Sequence, residues 1–184
     1  MRLERISNLK YVVRSGWVIR GVPNSIAETV AGHTFEVTLI GMYLADVLNS
    51  ECDTVSVEKV LRMSLLHDVP EVVIGDIVKL VKSRAPELFN GVELEAMSEL
   101  GLRDYAELLE DLNRGGSPEA RLVKLSDAVA TYLQGLRYLK TGYGNVAEIV
   151  ANTKNTIERI LDIWIPDACI PTLRKTLRMI GVEV

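Results

Sequence analysis

The chain has 184 residues, of which 48% are hydrophobic and 25% are charged. This length is enough to bury most of the apolar surface in one core, and the composition excludes a disordered chain. The formal net charge of −4 lacks the overall basic character of a protein that binds a nucleic-acid polymer. No stretch approaches the roughly 20 apolar residues that cross a bilayer. We therefore predict one domain over residues 1–184, with neither a membrane nor a polymeric nucleic acid as its partner.

The two cysteines, Cys52 and Cys169, do not have the spacing of a metal-binding or redox pair. The charged N-terminus, residues 1–5, lacks the apolar core of a signal peptide. We therefore predict two free thiols in a reducing compartment, the cytoplasm.

Apolar residues recur at spacings of three and four through most of the chain, and alternation with period two does not persist. This pattern predicts an all-α domain of six or more helices. The stripe of the first long helix, over residues 30–48, consists of His33, Val37, Ile40, Leu44 and Val47. His33 is therefore predicted to lie on the buried face of that helix.

Further helices are predicted over residues 57–67, 92–101, 118–140, 146–164 and 171–180. The helix over residues 118–140 has the clearest start, because Ser117 can cap it and Pro118 suits its first turn. Asp127 lies in the middle of this helix, at helical spacing from Val123 and Ala130, and is predicted to face inward. An inward carboxylate costs several kcal/mol unless it has a partner, so Asp127 indicates an ion pair or a bound metal.

The chain contains only two histidines, His33 and His67, and Asp68 directly follows the second. Taken alone, a histidine in the position of His33 is more often a satisfied core residue than a ligand, and the His67-Asp68 dipeptide arises readily by chance. Together with Asp127, however, these residues offer two imidazoles and two carboxylates, which suit one divalent transition metal: Mn, Co, Fe, Ni or Zn. Such a site leaves coordination positions open for a water and a substrate oxygen.

The order His33, His67-Asp68, Asp127 resembles the H…HD…D pattern of the HD-domain metal-dependent phosphohydrolases. The similarity extends over about residues 7–165 and is greatest with the 5′-deoxynucleotidase branch of that family. The segments that resemble this branch are residues 14–17, 28–33, 67–76 and 124–128. The resemblance implies a single compact multi-helix HD domain, followed here by the predicted C-terminal helix. It also implies a nucleotide substrate and, together with the apolar C-terminal half, a homodimer.

Two acidic residues follow the His-Asp pair. Glu71 lies three residues after Asp68, so one helical turn brings its carboxyl to the metal side. The resemblance implies that Glu71 assists proton transfer, whereas the alternative is a solvated glutamate at a helix start. Asp76, after Gly75, either orients Glu71 or a metal-bound water, or simply caps a helix.

Four other residues are candidates for substrate binding. Arg14, Trp17 and Arg20 combine two cations with an aromatic ring, which suits a phosphate and the face of a sugar or base. The alternative is that Trp17 fills the core and both arginines are solvated. Lys124, three residues before Asp127, either contacts phosphate or forms an ion pair along the helix.

The function that these residues favour is hydrolysis of (deoxy)nucleoside 5′-monophosphates to nucleoside and phosphate by a metal-dependent phosphomonoesterase. A second possibility is another phosphohydrolase of the same family, acting on a triphosphate or a signalling nucleotide. That enzyme would need more positive charge near the pocket than the sequence identifies. A third is a non-catalytic regulatory module with a closed structural metal site, which would have no use for Glu71 or Arg14.

Overall fold

The computed structural model describes residues 3–52, 55–165 and 167–184. These residues form no β-strand, and one isolated antiparallel bridge joins Val13 to Thr29. Their α-helices are α1 (Leu3–Ile6), α2 (Ser15–Ile19), α3 (Val30–Glu51), α4 (Val57–Leu66), α5 (Glu71–Ile74), α6 (Lys79–Lys82), α7 (Pro86–Glu99), α8 (Ala106–Arg114), α9 (Pro118–Lys140), α10 (Ala147–Trp164) and α11 (Ile170–Met179). The predicted all-α fold is confirmed.

Three of the helices that build the site begin at a hydroxyl cap. The side chains of Thr29, Ser56 and Ser117 accept hydrogen bonds from backbone N–H groups in the first turns of α3, α4 and α9. Each cap satisfies a donor that the helix itself leaves unpaired, so each start is fixed locally by the sequence. Asp127 lies mid-way along α9, as predicted.

The helix predicted over residues 92–101 begins six residues earlier, at Pro86, and the prediction missed α8 altogether. The first turns of α7 are largely exposed, and its buried residues begin only at Glu93. Because this exposed segment carries no apolar stripe, apolar periodicity could not reveal where α7 begins.

The core is arranged around α9, which packs against α3, α4 and α10. Close packing of α3 on α4 depends on Gly41, because a Cβ there would lie 3.1 Å from Cγ1 of Val60 and 3.2 Å from Oγ of Ser64. This packing brings the start of α3, the end of α4 and the middle of α9 together. Those are the three places that carry the predicted metal ligands.

The prediction of free thiols is wrong in this structure, since Cys52 and Cys169 form a disulfide. Their Cα atoms are 5.5 Å apart, within the usual range for a disulfide, although 117 residues separate them in sequence. The bond links the end of α3 to the residue before α11, a juxtaposition that spacing in sequence cannot reveal. It also removes the argument from free thiols for a reducing compartment. Among the described residues, no helix is both long and apolar enough to span a membrane.

Candidate metal centre

The first pair of predicted ligands joins α3 to α9. His33 lies in the first turn of α3 and is fully buried, and its Nε2 lies 2.9 Å from Oδ1 of Asp127. The side chain of Asp127 is 44% exposed, so the prediction that it faces inward needs correction. Asp127 reaches His33 from the open side of the site, where its carboxylate remains in contact with solvent.

The second pair lies in the turn that follows α4. Nδ1 of His67 donates to the carbonyl oxygen of Ser64 at 2.6 Å, so the neutral form of the ring, which is the form that binds a metal, has its lone pair on Nε2. Nε2 lies 3.0 Å from Oδ2 of Asp68. This contact does not have hydrogen-bond geometry, and Nε2 is buried with no hydrogen-bond partner in the described part of the chain. A buried ring nitrogen without a partner is what a metal ligand would present.

The two pairs converge. The ring centroids of His33 and His67 are 5.5 Å apart, and one ligand atom each from His33, His67 and Asp68 lies within 4.8 Å of the others. Metal bonds of about 2.1 Å at right angles place adjacent ligand atoms about 3.0 Å apart. The observed contacts of 2.9 and 3.0 Å match that spacing, so the residues present fit a divalent ion.

Arg14 faces both carboxylates of this cluster. Its Nη1 lies 3.8 Å from Oδ2 of Asp68 and 4.0 Å from Oδ1 of Asp127. The backbone holds Arg14 there, because its N–H donates to the carbonyl oxygen of Glu28 at 2.9 Å and Val13 bridges to Thr29. The N-terminal segment is thereby attached to the start of α3.

The charges in this cluster depend on one another. Burial alone would raise the pKa of the Asp68 carboxyl, but His67 and Arg14 hold it well below its usual value. Partial loss of hydration would likewise raise the pKa of Asp127, but its hydrogen bond to His33 lowers that pKa instead. For His67, burial favours the neutral ring, but the carboxylates of Asp68 and Asp127 raise its pKa to about 9. The site thus concentrates negative charge that a cation can balance.

Glu71 begins α5 and is 3% exposed, so it is not a solvated surface glutamate. Its Oε1 accepts a hydrogen bond from Nζ of Lys82 at 3.1 Å, and its Oε2 is buried without a partner in the described residues. Burial, and then the negative charge of Asp68, raises the pKa of Glu71 to about 8, against the opposing effect of Lys82. A carboxyl that titrates near neutral pH suits proton transfer.

Asp76 caps the distant helix α2, and not α5 or α6, which are its neighbours in sequence. Its Oδ2 accepts a hydrogen bond from the backbone N–H of Ser15 at 2.5 Å, and the Ser15 hydroxyl donates to the Asp76 carbonyl at 2.8 Å. These bonds attach the start of α2, directly after Arg14, to the segment that carries Glu71. Gly75 makes the intervening turn with a φ of +76°, a conformation that favours glycine.

Trp17 lies in the core, and Arg20 lies in an ion pair at the surface. Trp17 is 2% exposed, its ring packs edge-on against Tyr138, and a Cβ on Gly135 would lie 3.4 Å from it. The indole therefore presents no free face to a nucleoside and occupies the core position that the alternative interpretation described. Arg20 forms an ion pair with Glu148 at 2.6 Å.

Lys124 donates from Nζ to the carbonyl oxygen of Asn113 at 2.7 Å. Burial, and then the positive charge of Lys79, lowers its pKa, whereas the charge of Asp127 raises it. Lys82, which contacts Glu71, is a further cation in this region. Of the three lysines, the sequence indicated only Lys124, because neither Lys79 nor Lys82 lies close in sequence to a predicted metal ligand.

Glu28 is a further candidate residue, to which no pattern in the sequence assigns a role. The cap of α3 is Thr29, and Glu28 instead directs its side chain between Trp17 and His33. No sequence pattern indicates this orientation, since it depends on how residues 12–14 pair with residues 28–30.

A family model described as HD domain matches residues 6–164 of this chain. That range contains the two histidines and the carboxylates that converge here. The chain therefore belongs to the HD-domain family.

Three individual proteins illustrate the relationship. The 5′-deoxynucleotidase HDDC2 of Danio rerio is 27% identical over 160 residues, covering 83% of this chain and 76% of the relative. The crystal structure of the PH0347 protein from Pyrococcus horikoshii OT3 has a TM-score of 0.81 and 28% identity, covering 97% of this chain and 96% of that one. The cyanophage S-2L HD phosphohydrolase DatZ, bound to dA and one catalytic Zn²⁺, has a TM-score of 0.75 at 19% identity. The match covers 98% of this chain and 96% of the DatZ chain. At this low identity the similarity is evidence for a shared fold and for nothing further.

Proposed function

We propose that this protein is a metal-dependent phosphomonoesterase that hydrolyses deoxynucleoside 5′-monophosphates to nucleoside and phosphate. The observation that carries the proposal is the convergence of His33, His67 and Asp68, joined by Asp127 through its contact with His33, with Arg14 facing both carboxylates. A purely structural metal site would have no need of an arginine at that position. The 5′-deoxynucleotidase named among the relatives supports the choice of substrate.

The four residues would hold one divalent ion, for which Mn, Co, Fe, Ni and Zn are all suited to two nitrogen and two oxygen ligands. Such an ion would act as a Lewis acid toward the phosphoryl oxygen and would lower the pKa of a bound water. Arg14 binds the phosphate oxygens, since a guanidinium makes paired hydrogen bonds to phosphate.

Glu71 would supply the proton that the leaving 5′ oxygen needs. Because its pKa is raised to about 8, its carboxyl is largely protonated at neutral pH and can donate to the departing 5′ oxygen as the bond from phosphorus to that oxygen breaks. Water would supply the new oxygen on phosphate; one of its protons would remain with the phosphate, and the other would return Glu71 to its protonated form. Asp76 contributes by fastening the Arg14 segment to the Glu71 segment, and Lys124 adds positive charge near the phosphate.

A release-of-phosphate screen tests this proposal. The metal-free protein is incubated with Mn²⁺, Co²⁺, Ni²⁺ or Zn²⁺ and with the four deoxynucleoside monophosphates, their ribose counterparts and dATP. We expect phosphate release from monophosphates only when a metal is added. If no metal gives phosphatase activity on any nucleotide, the regulatory metal-binding module replaces the enzyme.

One observation favours the second candidate, a phosphohydrolase acting on a triphosphate. The positive charges of Lys79 and Lys82 act on Lys124 and Asp68 respectively, which supplies cations that the sequence alone did not identify near the pocket. Release of triphosphate or pyrophosphate from dATP, faster than phosphate from dAMP, would favour that activity.

We also propose a homodimer of single-domain subunits. Phe35, Leu39 and Met42 lie exposed along α3 and, with Leu65, line an apolar groove of about 370 Å³. A second copy of the chain would cover this surface, as exposed apolar patches commonly mark interfaces. The mass in solution, measured by light scattering for the wild type and for Phe35→Glu, tests this arrangement.

A further inference from the structure

Glu28 lies behind the metal centre, on the side of His33 away from Asp127. Its Oε1 is 3.6 Å from Nδ1 of His33, while Nε2 of the same ring is 2.9 Å from Asp127. The imidazole is thus placed between two carboxylates, one on each nitrogen. The 3.6 Å separation is longer than a hydrogen bond, and Nδ1 has no other hydrogen-bond partner in the described part of the chain.

Several neighbours fix the position of Glu28. Nε1 of Trp17 donates to its Oε2 at 2.9 Å, and its own backbone N–H donates to the hydroxyl of Tyr138 at 2.7 Å. Nε of Arg14 lies 3.8 Å from the same Oε2. The side chain of Glu28 is 7% exposed, so it is confined within this arrangement.

The other histidine has an equivalent partner. Nδ1 of His67 donates to the carbonyl oxygen of Ser64, so that its Nε2 is left for the site. Of the two rings, only that of His33 lacks such a bond, and Glu28 provides the nearby acceptor. A histidine that binds a metal through one nitrogen generally donates its other N–H to a carboxylate or a carbonyl, which fixes the ring and makes it a stronger ligand.

We propose that Glu28 is a positioning residue of the metal centre: it accepts a hydrogen bond from Nδ1 of His33 and thereby directs Nε2 of that ring toward the ion. The inference rests on the proposed metal ligation. It also gives Trp17 a role, because the indole N–H holds the Glu28 carboxylate in place. The same carboxylate lies beside Arg14, so Glu28 links the ring to the cation expected to bind phosphate.

Metal affinity, measured without substrate, tests this inference. Wild type, Glu28→Gln and Glu28→Ala are stripped of metal and titrated with Co²⁺ and with Mn²⁺ by calorimetry. Loss of such a partner commonly weakens metal binding about 10- to 100-fold, and we expect a loss of that size for Glu28→Ala. We expect a smaller loss for Glu28→Gln, because its single amide oxygen must serve the N–H groups of both Trp17 and His33. Glu58→Gln, which alters an exposed carboxylate paired with Arg62, is the matched control and should bind metal like the wild type.

Two further measurements separate positioning from a general structural role. Circular dichroism and thermal unfolding of the metal-free proteins should show that Glu28→Gln folds like the wild type, and its Co²⁺ complex should have an altered visible spectrum. If Glu28→Ala does not fold, Glu28→Gln decides. Wild-type affinity and an unchanged Co²⁺ spectrum in folded Glu28→Gln would overturn this inference alone. A wild type that binds neither metal would overturn the metal centre itself.

Discussion

Nε2 of His33 lies 2.9 Å from Oδ1 of Asp127, although 94 residues separate the two in sequence. One residue belongs to the first turn of α3 and the other to the middle of α9, so the contact exists only because those helices pack together. A fully buried imidazole here meets a carboxylate that solvent still reaches. Solvent therefore reaches the metal centre at Asp127.

Replacing His67 with alanine should remove the stabilisation that metal gives to the fold. A ligand that binds only the folded state, at a free concentration 1,000 times its Kd, adds about 4 kcal/mol to the free energy of unfolding. Thermal unfolding with and without Co²⁺ should therefore show a large shift for the wild type and little for the variant. Comparison of the two proteins in excess chelator measures the cost of the lost ring itself. An equal shift in both proteins would mean that His67 is not a ligand.

Replacing Glu71 with glutamine should leave metal content unchanged and lower the phosphatase rate. Removal of a general acid or base typically costs about 10²- to 10⁴-fold in rate. Bound metal is measured by elemental analysis, and kcat by phosphate release from a deoxynucleoside monophosphate. Glu95→Gln, on the exposed side of α7, serves as the control. Hydrolysis by Glu71→Gln at the wild-type rate would exclude the proton-transfer role.

The same substitution should change how stability depends on pH in the metal-free protein. The pKa of Glu71 is raised from its ordinary 4.5 to about 8, chiefly by burial. Between those values the folded protein keeps a proton that the unfolded chain has lost, so rising pH favours unfolding. Glu71→Gln lacks this penalty and should gain stability relative to the wild type from about pH 5 to pH 8. Urea unfolding at pH 5, 6.5 and 8 measures the difference, and a constant difference would contradict the raised pKa.

Replacing Arg14 with alanine should weaken phosphate binding while metal content remains normal. Hydrogen bonds to charged groups contribute about 1.5–3 kcal/mol, so we expect kcat/KM to fall roughly 10- to 100-fold. Arg62→Ala, which removes an exposed arginine paired with Glu58, is the matched control. Loss of metal from the Arg14 variant would show instead that the guanidinium serves the metal centre and not the substrate.

Reduction of the disulfide between Cys52 and Cys169 should lower the melting temperature. A native disulfide typically adds about 2–4 kcal/mol, and a loop as long as this one adds up to about 5 kcal/mol, mainly by restricting the unfolded chain. Thermal unfolding with and without a reductant measures the effect, and intact mass before and after reduction shows whether the bond is present. Cys52→Ser should unfold at the temperature of the reduced wild type and should not respond to the reductant. A wild type that also does not respond would indicate free thiols.

The sequence by itself determined the helical class and the identity of the candidate ligands. Apolar spacing and the Ser117 cap placed Asp127 in the middle of a helix, because both are local properties of the chain. The chain has only two histidines, His33 and His67, and this small number made both of them candidate ligands. The exposed start of α7 was missed because a helix that buries nothing there leaves no periodic pattern.

Tertiary structure alone decided which groups surround those ligands. Packing of the helices brings Arg14 close to Asp68 and buries Glu71 against Lys82. It also places the Trp17 ring in the core and the Glu28 carboxylate next to Nδ1 of His33. It also joined the two cysteines. Such contacts link segments far apart in the chain, and their geometry follows from how side chains fill a shared core, which no local pattern of residues encodes.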